Sequence, residues 1–146
     1  MWVFFDIKRR RPTQILSQVK ERWSICKDES IQCNIYKKIK PVVTPDFHLR
    51  YKVNRFDTDT NKHVNNIRYL QWVLESIPDE IIDNYYMFSI DGRFISEATY
   101  GQTVISMTQM LHKEDSEDKS FLHTVKVENT GLVCATAQTV WRKLKN

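Results

Sequence analysis

The 146-residue chain contains no apolar run near the roughly 20 residues needed to cross a bilayer, so no transmembrane helix is expected. Its first residues, MWVFFDIKRRR, set the apolar residues ahead of the basic ones and are too short in apolar length for a secretory signal. They also lack the Ser-rich, acid-poor length of a transit peptide. Three cysteines, Cys26, Cys33 and Cys134, make an odd number without CxxC or CxxH spacing. That argues against a disulfide framework and a structural zinc site, and for reduced thiols in a cytoplasmic setting. Neither internal repeats nor low-complexity segments occur. Basic residues interleaved with exposed aromatics are missing too, as is any known nucleic-acid module, so no nucleic-acid partner is expected.

What is present suits one soluble globular domain. A hydrophobic content of 41% with 27% charged residues supplies one sizeable core, and the length is too small to expect two domains. The net charge of +4 and pI near 9.0 come largely from Lys8 to Arg11 and from the closing WRKLK. Solvated strand ends account for such clusters. An acidic carrier protein or a phosphorylated cofactor is the milder use of the same charge.

The opening MWVFFDI reads as a strand that starts without a preceding turn, which leads us to expect missing sequence upstream. Residues 12–47 are mixed and punctuated by Pro12, Pro41 and Pro45, with one short helical candidate in PTQILSQVKERW. So loose a stretch is more typical of a linker than of a domain interior. From His48 the patterns sharpen. HLRYKVNRF alternates as a strand, and Ile67, Leu70, Val73, Leu74 and Ile77 recur at helical spacing, which predicts an amphipathic helix over 65–77 ended by Pro78. MFSIDGRFISEATYG and QTVISMTQMLH are strand candidates broken near Tyr100 and Gly101. KEDSEDK is a polar turn. SFLHTVKVE alternates Phe121, His123, Val125 and Val127 against Leu122, Thr124, Lys126 and Glu128. Asn129 to Gly131 marks a hairpin, and LVCATAQTVW returns. One long helix followed by strands joined in hairpins predicts an α+β hotdog fold, an antiparallel sheet wrapped around the helix.

The densest chemistry lies in DTDTNKHVNNIRYLQWVLESIP, residues 57–78. Asp59, Asn61, His63, Asn65 and Asn66 crowd ahead of the predicted helix. Either they cap it and tie down a loop, or they form a site. A helix amino-terminus offers unpaired N–H groups and partial positive charge. His63 can exchange a proton near neutral pH, Asp59 could fix its tautomer, and Asn61 and Asn65 could donate to a carbonyl oxygen gaining charge. Glu97, in the apolar stretch FISEATYG, is the candidate base, since partial desolvation there would raise its pKa. Asn65 or Asn66 also fits a plain helix N-cap. His48, His112 and His123 lack such company and read as surface or strand residues.

At this cluster the sequence resembles the acyl-ACP thioesterases. They carry D-x-N-x-H-V-N-N/S followed by a helix of the type [KR]-Y-[IL]-x-W-[IV]-L-[ED], which stands here as DTNKHVNNIRYLQWVLES, Asp59 to Ser76. The shorter HVNN-x-x-Y portion is shared with hotdog acyl-CoA thioesterases. FISEATYGQTV resembles the family's strand with a catalytic Glu, VKVENTGLVCATAQTVW its closing hairpin, and WVFFDIKRRRP the end of its first hotdog domain. The resemblance implies a double hotdog of which this chain holds residues 1–12 as the last strand of a truncated first repeat, 13–47 as linker and 48–146 as the C-terminal hotdog. It implies Asp59, Asn61, His63 and Glu97 as catalytic residues and Asn65 and Asn66 as substrate-binding ones. Plant members follow the Glu with a Cys, where this chain has Ala98, so a thiol mechanism at that position is excluded. The overall texture resembles bacterial members. The reaction implied is hydrolysis of fatty acyl-ACP to free acid, with no metal or redox cofactor, an acyl carrier protein as partner, and a homodimer if the first hotdog is absent. Rival readings are a hotdog acyl-CoA thioesterase and a non-catalytic hotdog that binds acyl groups or a partner subunit.

Overall fold

The structure, a computed structural model, describes residues 4–9, 11–22, 38–111 and 117–144. The chain divides into two compact units, one ending at Lys37 and one beginning at Lys38. In the first, Phe4–Asp6 (β1) and Arg11–Thr13 (β2) pair antiparallel, with Phe5 opposite Pro12. The Asp6 carboxylate closes the turn by accepting the N–H groups of Lys8 and Arg9, each at 2.9 Å. The strand expected over residues 1–7 is thus three residues long where it is described. Its return, three exposed residues around a proline, has no alternation to announce it. The helical candidate of residues 12–23 reduces to the single turn Ser17–Lys20 (α1), which buries nothing. Cys26 and Cys33 lie outside the described residues, as do His112 and much of the polar turn before Lys119.

The second unit is the expected hotdog. Its elements run Phe47–Lys52 (β3), Asn66–Glu75 (α2), Asp79–Asn84 (α3), Tyr85–Phe94 (β4), Thr103–Leu111 (β5), Lys119–Val127 (β6) and Val133–Lys143 (β7). The five strands form one antiparallel sheet in the order β3-β5-β6-β7-β4. Register places Tyr51 opposite Val104, Thr108 opposite His123, and Ala137 between His123 and Gly92. A bulge between Met87 and Ser89 bends the β4 edge.

Helix α2 lies on the sheet face built by alternate residues of these strands. Its buried residues are Tyr69, Trp72 and Val73, in one core with Val104, Val125, Val127, Ala135 and Ala137. This shifts the apolar face expected from Ile67, Leu70, Val73, Leu74 and Ile77, since Ile67 is 53% exposed. Tyr69, Trp72, Val73, Ser76 and Ile77 have equally good helical spacing, and the aromatic pair carries the larger apolar area, so it takes the sheet side. Trp72 stacks on Tyr51 with centroids 5.6 Å apart, and Tyr69 meets Trp72 edge-on at 5.5 Å. Leu70 packs over β4 at Gly92, where a Cβ would stand in ordinary contact, 3.7 Å from a Leu70 methyl. Pro78 does not simply end the helical region. It opens α3, which buries Ile81 in a second cluster with Ile77, Phe121 and Trp141.

His123, expected among surface or strand residues, is a strand residue of the deep core and fully buried. Its place in the alternating series with Phe121, Val125 and Val127 puts it on the helix-facing side. Nδ1 lies 2.8 Å from Thr108 Oγ1 and Nε2 lies 2.9 Å from Thr139 Oγ1. Trp141 Nε1 donates to Thr139 at 3.0 Å, Thr108 meets Ser76 Oγ at 2.5 Å, and Ser76 donates to the Val73 carbonyl at 2.7 Å. The Val73 carbonyl can only accept, so Ser76 donates to it, Thr108 donates to Ser76, and Nδ1–H of His123 donates to Thr108. Burial pushes the imidazole down to about 3.

On the opposite sheet face Thr124 accepts the Val42 N–H at 2.7 Å, and Ile39 and Val42 are buried. Residues 38–46, part of the expected linker, therefore lie along the sheet. Among the described residues no helix is long and apolar enough to cross a membrane.

Candidate active site

The site is built on the loop that leaves β3 and enters α2. Val53 is buried and its N–H donates to the Gln102 carbonyl at 2.8 Å, which starts the loop beside the one that joins β4 to β5. A 3-10 turn, Arg55–Asp57, follows. Asn54 and Asp57 cap each other reciprocally, with the Asn54 N–H donating to Asp57 Oδ2 at 2.7 Å. The other Asp57 oxygen meets Arg68 Nε of α2 at 3.1 Å, and the Asp57 carbonyl accepts the Asn65 N–H at 2.9 Å. Asp57, which sequence reasoning passes over, thus ties the loop to the first turn of the helix. Its signal was the N-x-x-D spacing of a capping box.

Residues 58–64 fold back on themselves, Thr58 bridging Val64. The Asp59 N–H donates to the His63 carbonyl at 2.9 Å, and Lys62 turns the chain at φ 65°. The Asp59 carboxylate accepts the backbone N–H groups of Asn61 at 2.8 Å and of His63 at 3.3 Å. It holds the loop that carries the imidazole and leaves the ring to another partner. The carboxylate beside the ring is that of Glu97, whose Oε2 lies 3.2 Å from His63 Nδ1.

Glu97 reaches His63 because residues 97–99 run antiparallel to residues 63–64. His63 bridges Thr99, and the Val64 N–H donates to the Ala98 carbonyl at 3.1 Å. The Ala98 N–H donates to the Tyr69 hydroxyl at 2.8 Å. Glu97 is not the strand residue expected: β4 ends at Phe94, and the Glu97 side chain is 60% exposed, so the desolvation anticipated for it is absent in this chain. Ala98 has no exposure and packs in the core with Tyr69 and Cys134, so the position after Glu97 points away from the pair.

Asn65 is the helix N-cap: its Oδ1 accepts the Ile67 N–H at 3.1 Å, and its carbonyl accepts the Arg68 N–H at 2.9 Å. That occupies two of the amino-terminal donors of α2. Asn61 and Asn66 are both exposed. His48 sits on β3 with an exposed side chain, away from this cluster. Among the described residues no group of three His, Cys, Asp or Glu side chains is arranged to hold a metal ion, and Cys134 is a free, buried thiol.

The sequence matches the family described as acyl-ACP thioesterase C-terminal domain over residues 41–143. It is 28% identical to oleoyl-acyl carrier protein thioesterase 1, chloroplastic, of Arabidopsis thaliana, across 97% of this chain and 45% of that protein. It is 31% identical to the chloroplastic dodecanoyl-[acyl-carrier-protein] hydrolase of Cinnamomum camphora, across 59% of this chain and 22% of the relative. Among solved structures, the 12:0-ACP thioesterase from Umbellularia californica superposes with a TM-score of 0.81 at 23% identity, covering 96% of this chain and 52% of that one. An acyl-ACP thioesterase from Bacteroides thetaiotaomicron does so with a TM-score of 0.71 at 24% identity, covering 94% and 53%. The match spans about half the length of the oleoyl relative and of the two solved structures, and about a fifth of the dodecanoyl one.

Proposed function

The chain belongs to the acyl-ACP thioesterase family, as its C-terminal domain, and on that premise we propose that it hydrolyses the thioester of fatty acyl-ACP to free fatty acid and carrier-protein thiol. The observation that carries this reading is the approach of His63 Nδ1 to Glu97 Oε2, brought about by two loops zipped together by backbone hydrogen bonds.

In this reading Nδ1–H of His63 donates to the Glu97 carboxylate, which leaves Nε2 as an acceptor. Nε2 takes a proton from water as the oxygen attacks the thioester carbonyl. The tetrahedral intermediate collapses, the C–S bond breaks, and the departing sulfur takes the proton back from Nε2. The Asn61 side-chain amide and the Asn66 N–H donate to the oxyanion. Asn65 presents Asn66 by capping the helix, and Asp59 holds the loop. A carboxylate already accepting from an imidazole is a weaker nucleophile than a free one, which favours water attack over the alternative in which the carboxylate itself attacks the thioester to give an anhydride.

The reading extends to the organisation of the protein: residues 1–12, with their short hairpin, as the end of a first hotdog, 13–47 as linker and 48–146 as the catalytic repeat, working in the cytoplasm and paired as a homodimer wherever the first repeat is absent. The test is free-acid release from a panel of acyl-ACPs by the purified chain, with acyl-CoA as competitor and His63→Ala as control. Release from acyl-ACP that the substitution abolishes supports the proposal. A folded chain that releases nothing, or that prefers acyl-CoA, overturns it.

A further inference from the structure

A buried phenol on α2 has no packing reason to be a phenol. Tyr69 is 1% exposed, with its ring set between Trp72 and Phe94 at centroid distances of 5.5 Å and 6.2 Å. Phenylalanine would fill that space, and a buried hydroxyl must find partners. It finds one in the backbone: Oη accepts the Ala98 N–H at 2.8 Å, in the core that Tyr69 shares with Cys134 of β7. Burial pushes this phenol up to about 12, so the proton stays on oxygen throughout the neutral range.

The Ala98 N–H belongs to the peptide that follows Glu97. The next carbonyl, that of Ala98, accepts the N–H of Val64, the neighbour of His63. The backbone around Glu97 is therefore clamped twice, once from the helix and once from the histidine loop. The Glu97 side chain is largely exposed and has little else to orient it. We propose that Tyr69 is a positioning residue for Glu97: its hydroxyl fixes the peptide from which the carboxylate reaches His63. This deepens the reading of the site given above, and its catalytic consequence rests on that reading.

Tyr69→Phe keeps the ring and removes only the clamp, which leaves the Ala98 N–H buried without a partner. The experiment compares the whole chain with Tyr69→Phe and with Ile81→Val, a trim in the separate cluster under α3 that serves as a stability control. Expected for Tyr69→Phe in the folded protein are a kcat lower by about 10- to 100-fold at nearly unchanged KM, since small misplacements of a reacting group have effects of that order. Ala98 amide exchange should accelerate, and the nuclear Overhauser contact between the His63 ring and the Glu97 side chain should weaken. Ile81→Val should move none of the three. If the unmodified chain releases no acid, the thioesterase reading fails by itself, and amide exchange with the ring contact still decides the positioning role. An unchanged Ala98 exchange rate, or a retained ring contact with unaltered kcat, overturns it.

Discussion

His63 and Glu97 stand 3.2 Å apart, Nδ1 to Oε2, although one precedes α2 and the other follows β4. A pair held in this way should act as one unit. His63→Ala and Glu97→Gln are each expected to lower acid release by about 10²- to 10⁴-fold, the usual contribution of a positioned acid–base group. The double variant should lose little more than either single one. Steady-state kinetics on acyl-ACP checks this, and additive losses would mean that the two act separately.

Asn65 spends its side chain on the Ile67 N–H. Asn65→Ser should therefore preserve both stability and acid release, while Asn65→Ala should cost about 1 kcal/mol in urea unfolding. A large loss of release in a stable Asn65→Ser variant would instead assign its amide to the substrate.

Asp57 joins the 3-10 turn to α2 through Asn54 and Arg68. Asp57→Ala removes the acceptor of the Asn54 N–H and the carboxylate beside Arg68 Nε. The expected loss is about 2 kcal/mol of unfolding free energy, measured by chemical denaturation. Because the same residue sets the angle at which the loop meets the helix, acid release should fall even at temperatures where the variant is fully folded.

The buried His123 gives the stability a pH dependence of definite sign. In the unfolded chain the imidazole binds a proton below about 6.5, whereas in the folded chain it does so only below about 3. Above 6.5 both states are neutral and the contribution is complete. As pH falls from 6.5 towards 3 only the unfolded state gains the proton, and stability drops by about 1.4 kcal/mol per pH unit from this group. Denaturation from pH 7 to 4 should show that slope in excess of a His123→Gln variant. Nitrogen-15 spectra should show the proton on Nδ1.

The hotdog was legible because its strands are long and its hairpins carry turn residues, as at Asn129 to Gly131. The helix was legible as a helix but not in its rotation: two apolar stripes, one through Ile67 and one through Trp72, have nearly the same spacing, and only contact with the sheet chooses. The site residues are local in sequence except for Glu97, and the structure brings that one to His63 through a loop rather than the strand that its apolar stretch suggested. What sequence reading missed is pairing at a distance. Tyr69 had no place in the expected apolar face, and His123 read as a surface or strand residue, because the groups that satisfy them come from other elements.

The polar thread through the core has a further property. Its six groups and five bonds run in one sense from Trp141 to Val73, and neither end can reverse roles. The other tautomer would turn the Thr108 and Ser76 hydroxyls round and strip the Val73 carbonyl of its Ser76 donor, so the imidazole keeps its Nδ1 proton while β5, β6 and α2 stay together. The Nδ1 proton is thus a clock. It leaves for solvent only when the strands part, and its lifetime measures how often this barrel of sheet around helix breathes.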